Sequence, residues 1–116
     1  MNDQETPLGE LREMVREFVG ERDWKQFHTP KNISMALAIE AAELMEHFQW
    51  LTPEQSRAIA KQDKDLAAVA DELADVVCYA FALANELDID VAAAMELKMG
   101  KNRQKYPADK YRGKYK

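Results

Sequence analysis

Apolar residues recur along this chain at intervals of three and four, the period of helices with one face turned inward. Leu8, Leu11, Val15, Phe18 and Val19 mark the first helix, with Thr6 as N-cap and Pro7 at its first position. The pattern lapses in "KQFHTPKN", where Pro30 disfavours helix at Thr29, and resumes from about Asn32 to Trp50. "LTPEQ" restarts the chain, with Thr52 as N-cap, Pro53 next and Gln55 in the capping-box position. A short helix then leads through polar "KQDKD" into a long one over about Leu66–Leu87. "DID" supplies a turn and a cap at Asp88 or Asp90, and a last helix runs to about Lys105, before Pro107. No period-two alternation and no internal repeat occurs, so the expected fold is an all-α, four-helix-type bundle.

The long helix is unusual in its middle. Between Leu73 and Ala84 its only charge is Asp75. A helix apolar nearly all round is buried on several sides, and the other helices of this short chain cannot cover it. The expected bundle is therefore completed by dimerisation.

Acids interrupt the apolar faces of two helices. Each residue turns a helix by about 100°, so Glu43 and His47 lie within about 60° of Glu40, flanked by Ile33, Leu37 and Leu44. Ala42, Glu46 and Gln49 fall on the opposite, solvated side. By the same construction Glu72, Asp75 and Tyr79 share a stripe beside Val76 and Leu83. Carboxylates in such places protonate or find a cation. Neither helix offers a run of Lys or Arg, and oxygen ligands suit a hard divalent ion, Mg²⁺ or Mn²⁺. One such pair alone is more often a solvated helix face; two on apolar helices shift the balance to a metal site. A di-iron bundle would need Glu-x-x-His on two helices, and His47 lies four residues from Glu43 rather than three. His47 is therefore read as a supporting polar group, not a ligand.

Composition narrows the class. The chain has 116 residues, 47% hydrophobic and 32% charged, which fits one ordinary globular domain. Its net charge of −5 conceals an asymmetry: residues 1–97 hold 8 basic against 20 acidic side chains, residues 98–116 hold 8 against 1. The acidic body argues against a nucleic-acid surface. The N-terminus lacks the apolar stretch of a signal peptide, and "VVCYAFALAN" is too short to span a bilayer. Cys78, the one cysteine, reads as a small buried hydrophobe, and a cytoplasmic location with no membrane partner is expected. Residues 1–107 form the expected domain; residues 108–116, "ADKYRGKYK", form a basic, flexible tail.

The residues then resemble a known family. E-x-x-E at 40–43, 28 residues, and E-x-x-D at 72–75 resemble the signature of the MazG-like all-α nucleotide pyrophosphohydrolases. "WKQFHTPKN", "FQW" and "KMGKNRQKYP" are similar to the dCTP pyrophosphatase branch of that family. The resemblance implies Mg²⁺-dependent hydrolysis of a (deoxy)nucleoside triphosphate, dCTP or a modified dCTP, to the monophosphate and pyrophosphate. It implies that Glu40, Glu43, Glu72 and Asp75 hold the metal, and that the protein is a homodimer or homotetramer with sites at subunit contacts. The general base is left open by the sequence, with Glu43 the first candidate. Substrate-binding residues carried over from the resemblance are Trp24, His28 and Trp50 around the base and Tyr79 against the sugar. Lys98, Asn102 and Tyr106 follow at spacings of four on the last helix, the first two suited to phosphate; Arg103 is a further candidate.

Each of these residues also suits a plainer role. Trp24, Trp50 and Tyr79 could pack, His28 could sit on a surface loop, and Lys98 could answer a helix dipole. The functional alternatives are a broad-specificity nucleoside triphosphate pyrophosphohydrolase and a non-catalytic nucleotide- or metal-binding regulatory bundle.

Overall fold

The structure, a computed structural model, describes residues 1–114. Its helices are α1 (Leu8–Glu21), α2 (Pro30–Glu46), α3 (Pro53–Ala58), α4 (Asp63–Leu87), α5 (Val91–Lys105) and the single turn α6 (Ala108–Tyr111), with 3₁₀ turns at Lys25–Phe27 and Ile59–Lys61. No strand occurs among the described residues, and no helix is long and apolar enough to cross a membrane. The fold is all-α, as the spacing predicts. Of the basic segment 108–116, the last two residues lie outside the described residues.

The caps explain where the helices begin. Thr52 is the N-cap of α3 with both halves of the capping box made: its hydroxyl accepts from Gln55 N–H at 3.1 Å, and Gln55 Oε1 accepts from Thr52 N–H at 2.9 Å. Thr29 caps α2 through its hydroxyl alone, accepting from Asn32 N–H at 3.1 Å, with Pro30 in the first turn. That places the start of α2 two residues before the expected Asn32. Asp90 caps α5 by accepting from Ala93 N–H at 2.8 Å. Asp88 ends α4 in the left-handed region at φ 55°, which a short polar side chain tolerates.

Three further boundaries differ from expectation. Thr6 does not cap α1: its hydroxyl accepts from Asn2 N–H at 3.0 Å, and Pro7 occupies the N-cap position. α2 stops at Glu46 rather than Trp50. Thr52 must be extended (φ −71°, ψ 162°) to cap α3, so residues 47–51 tighten into turns closed by bonds such as Phe48 N–H to Met45 O. α4 starts at Asp63, three residues earlier than the apolar spacing shows. Asp63 and Asp65 sit in its first turn, where the helix dipole favours negative charge.

α2 and α4 form the main packed pair, with α1 leaning on α4 and the Ile59 turn closing one end. Among the described residues the buried side chains are Ile33, Ile59, Phe81, Ala82 and Ala84. Ile33 alone, 2% exposed, contributes about 2 kcal/mol of apolar burial. That core is small, and much apolar surface stays outside it. Leu73 and Val77 of α4 are exposed, and on α5 Met95 and Leu97 are more than 60% exposed. The radius of gyration is 17.1 Å, against about 13 Å for a compact chain of this length. The accessible surface is 9436 Å², roughly 3,000 Å² more than a compact monomer of this mass presents.

Candidate functional site

The capped entry of α2 sets the phase that turns Glu40 and Glu43 toward α4, and the unbroken run of α4 puts Glu72 opposite them. One carboxylate oxygen from each of Glu40, Glu43 and Glu72 lies within 4.8 Å of the other two. Oε2 of Glu40 and Oε2 of Glu72 are shut off from solvent and have no hydrogen-bond partner. The ion pairs among the described residues are Arg16–Glu13 on α1 and Arg22–Glu21 at its C-terminal end, so none of the described Lys or Arg side chains pairs with the cluster.

The electrostatics follow. The Glu40 carboxyl is pushed up from an ordinary 4.5 to about 7. The Glu43 side chain beside it comes first, favouring a shared proton; burial and repulsion from Glu43, Asp75 and Glu72 act in the same direction. Burial pushes Glu72 up as well, with Glu43 and Asp75 adding to it and His47 partly opposing. Oxygen donors, no competing cation and two unpartnered buried oxygens fit a hard divalent ion at this place. The cluster comprises these three glutamates; His47 and the expected fourth ligand, Asp75, are not part of it.

Asp75 is exposed, one turn beyond Glu72, and opens onto a cleft of about 390 Å³ between α1 and α4. Trp24, His28 and Tyr79 all line it. The His28 and Tyr79 rings lie 6.5 Å apart, tilted by 34°, and Trp24 stands edge-on to Phe18 at 5.6 Å. The rest of the wall escaped the sequence reading: Met14, Val15, Phe18 and Val19 of α1, with Cys78 and Ala82 of α4. A signal was available, because the apolar stripe of α1 is wider than a helix with one neighbour needs. Cys78 corrects an expectation. It is exposed toward the cleft instead of filling a core, while partial burial and then Asp75 raise its thiol pKa.

Four expected residues stand apart within one chain. Trp50 is in the turn after α2, 87% exposed, and lines neither the cleft nor the acid cluster. Lys98 and Asn102 are on α5, which packs only lightly on the rest of the chain. Tyr106 lies just past the end of α5 with φ −124°, ψ 69°, so the expected stripe of spacing four breaks before it; its ring stands edge-on to Tyr111 at 5.2 Å.

An all-α bundle in which glutamates from two helices gather beside an aromatic cleft defines a class of helical proteins with an acid-centred site. The MazG-like family model matches residues 35–116, and the chain belongs to that family. It is 43% identical over 109 residues to dCTP pyrophosphatase 1 of Rattus norvegicus, covering 94% of this chain and 64% of that one. Against dCTP pyrophosphatase 1 of Homo sapiens it is 41% identical over 104 residues, covering 90% of this chain and 61% of that one. The chain thus spans somewhat less than two thirds of the length of these curated relatives. Among solved structures it resembles a pyrophosphatase from Archaeoglobus fulgidus, with a TM-score of 0.78, 35% identity, and coverage of 92% of this chain and 98% of that one.

Proposed function

We propose that the chain hydrolyses a deoxynucleoside triphosphate, dCTP or a modified dCTP, to the monophosphate and pyrophosphate with Mg²⁺. The observation that carries this is the Glu40–Glu43–Glu72 cluster, two of its oxygens buried without a donor, set beside an aromatic cleft that Asp75 joins to it. Glu40, Glu43, Glu72 and Asp75 would hold the ion. Bound there, it would neutralise phosphate charge and lower the pKa of water.

The chain's own groups do the rest. Trp24, His28 and Tyr79 offer faces on which a nucleoside can stack, and Asp75 marks the end of the cleft where the phosphates would lie. Glu43, whose side chain neighbours both Glu40 and Glu72, is the candidate base toward a water attacking the α-phosphorus. The catalytic requirement is mostly positioning and charge compensation, which fits acids held on rigid helices.

Assembly as a homodimer or homotetramer is part of the reading. The surplus surface is of the size obligate interfaces remove. A second copy would cover Leu73, Val77 and the face of α5, and would let Trp50, Lys98 and Asn102 reach a site they do not touch within one chain.

A broader substrate range has its own support. The cleft wall is mainly apolar and aromatic, and stacking accepts any base. Incubation with all four dNTPs, their ribose counterparts and Mg²⁺, with separate assays for pyrophosphate and orthophosphate, decides both points. Pyrophosphate released chiefly from dCTP supports the first reading, and equal release from several substrates supports the second. Binding without any release would reveal a regulatory bundle instead.

A further inference from the structure

α1 supplies four of the residues that wall the cleft, yet it is weakly held. None of its residues is fully buried, and it leans chiefly on α4 through half-buried Leu11, Val15 and Val19. Four hydrogen bonds tie it down. Arg12 Nε donates to Asn85 Oδ1 at 3.0 Å, and Arg16 Nη2 donates to the same oxygen at 3.1 Å. Asn85 Nδ2 donates back to Arg12 O at 3.1 Å, and Arg12 Nη1 reaches Ile89 O at 2.7 Å, just past the end of α4. Three of the four pass through one amide. Its orientation is determined: a flip would set the NH₂ against two guanidinium groups and lose the bond to the Arg12 carbonyl.

We infer that Asn85 is a positioning residue for the nucleoside, setting the distance between the α1 wall and Tyr79 without touching the substrate. This rests on the reading of the cleft as the nucleoside site. Asn85 does not line the cleft; with Arg16 it closes a smaller cavity of about 150 Å³ behind it. Val15, Val19, His28 and Ala82 belong to both cavities, so they are the partition between latch and cleft. Both guanidinium bonds to Asn85 are charge-assisted; the one from Arg12 is also part-buried, which strengthens it relative to a surface pair, while the one from Arg16 is exposed. Releasing the latch frees α1, and with it Met14 and Phe18. The acids on α2 and on the middle of α4 are held by other contacts and stay in place. Loss of Asn85 therefore acts on nucleoside binding, not on turnover of bound substrate.

The test pairs Asn85→Leu, which removes every latch bond of the side chain at similar volume, with Asn85→Asp, which keeps an acceptor for both arginines. Asn85→Leu should raise KM for dCTP roughly ten-fold and narrow discrimination among dNTPs, with kcat within about three-fold of the parent. Asn85→Asp should stay within about three-fold in every parameter. Amide exchange of residues 8–21 should quicken about ten-fold in Asn85→Leu while α2 is unchanged. Unchanged KM and base preference in Asn85→Leu, a kcat loss with KM intact, or equal defects in the two variants would overturn the inference. A parent protein that turns over no triphosphate would refute the proposed function instead; amide exchange then decides the latch alone, equal rates overturning it and faster α1 exchange supporting it.

Discussion

Glu40 and Glu72 meet across the α2–α4 contact with an oxygen of each inside a 4.8 Å cluster, and each keeps one buried oxygen without a donor. Both carboxyl groups hold their protons more tightly in the folded chain than an exposed glutamate does. In a bundle with so small a core, this like-charge contact costs stability whenever both are ionised, and the ion that fits it would return that stability.

The pH dependence has a definite sign. Glu40 titrates at about 7 when folded against an ordinary 4.5. Between those values the folded state binds a proton that the unfolded chain has released, so stability falls as pH rises. The contribution is complete below 4.5 and is lost through about 7; the raised Glu72 acts in the same direction. In chelator, Tm should therefore drop between pH 5 and 8, Glu40→Gln should flatten that drop, and added Mg²⁺ should restore Tm at pH 8. A Tm in chelator that climbs over this range would contradict the crowding of these acids.

Removing an acid should separate metal binding from folding. Glu43→Gln and Asp75→Ala should each lower kcat by on the order of a hundred-fold or more, as for other electrostatic clamps. Mn²⁺ binding, followed by electron paramagnetic resonance, should weaken in parallel, while the metal-free melting temperature holds or rises because a repelling charge is gone. Full turnover by either variant at ordinary metal concentration would remove that residue from the site.

Most of what could be read from the sequence was what a single helix decides for itself, although Thr6, an equally local cap, bonds Asn2 instead. The Thr52 box, the caps at the ends of α4 and α5, and the inward phase of Glu40, Glu43 and Glu72 depend on local bonds and a period of 3.6 residues. The end of α2 did not follow from its apolar spacing, because the competing demand came from outside it: Thr52 needs extended backbone to start α3. The α1 wall of the cleft was missed for a related reason. Periodicity shows that Met14, Val15, Phe18 and Val19 share a region of the helix, but not whether a neighbour or a ligand covers it. Cys78 was misplaced likewise, since an apolar stretch looks the same whether it faces a core or a cleft.

Oligomerisation is the next expectation. With roughly 3,000 Å² of surplus surface and a core centred on five side chains, the isolated chain has little to hold it folded. Sedimentation at micromolar concentration should give a dimer or tetramer, with unfolding that depends on protein concentration. Leu97→Asp on α5, exposed in the chain and so harmless to a monomer, should dissociate or destabilise the assembly. A folded, concentration-independent monomer would leave the exposed face of α5 to some other cover.

Trp50 gives the most specific prediction. An indole 87% exposed in a turn is an unusual use of a side chain that buries well, and within one chain it touches neither cleft nor acids. If it closes the base pocket of a neighbouring copy, Trp50→Ala should raise KM for dCTP about ten-fold, since a lost stacking partner costs about 1–3 kcal/mol. kcat should change far less, because stacking alters little as the phosphorus reacts. Supply from the neighbour also predicts complementation. In a hybrid of a Glu43→Gln subunit with a Trp50→Ala subunit, one site carries both lesions and the other carries neither. Co-refolding two impaired homo-oligomers should then recover turnover with the parent KM. If hybrids show only the sum of the separate defects, Trp50 serves its own chain or none. If Trp50→Ala alone leaves KM and base preference unchanged, the residue has no part in holding the base.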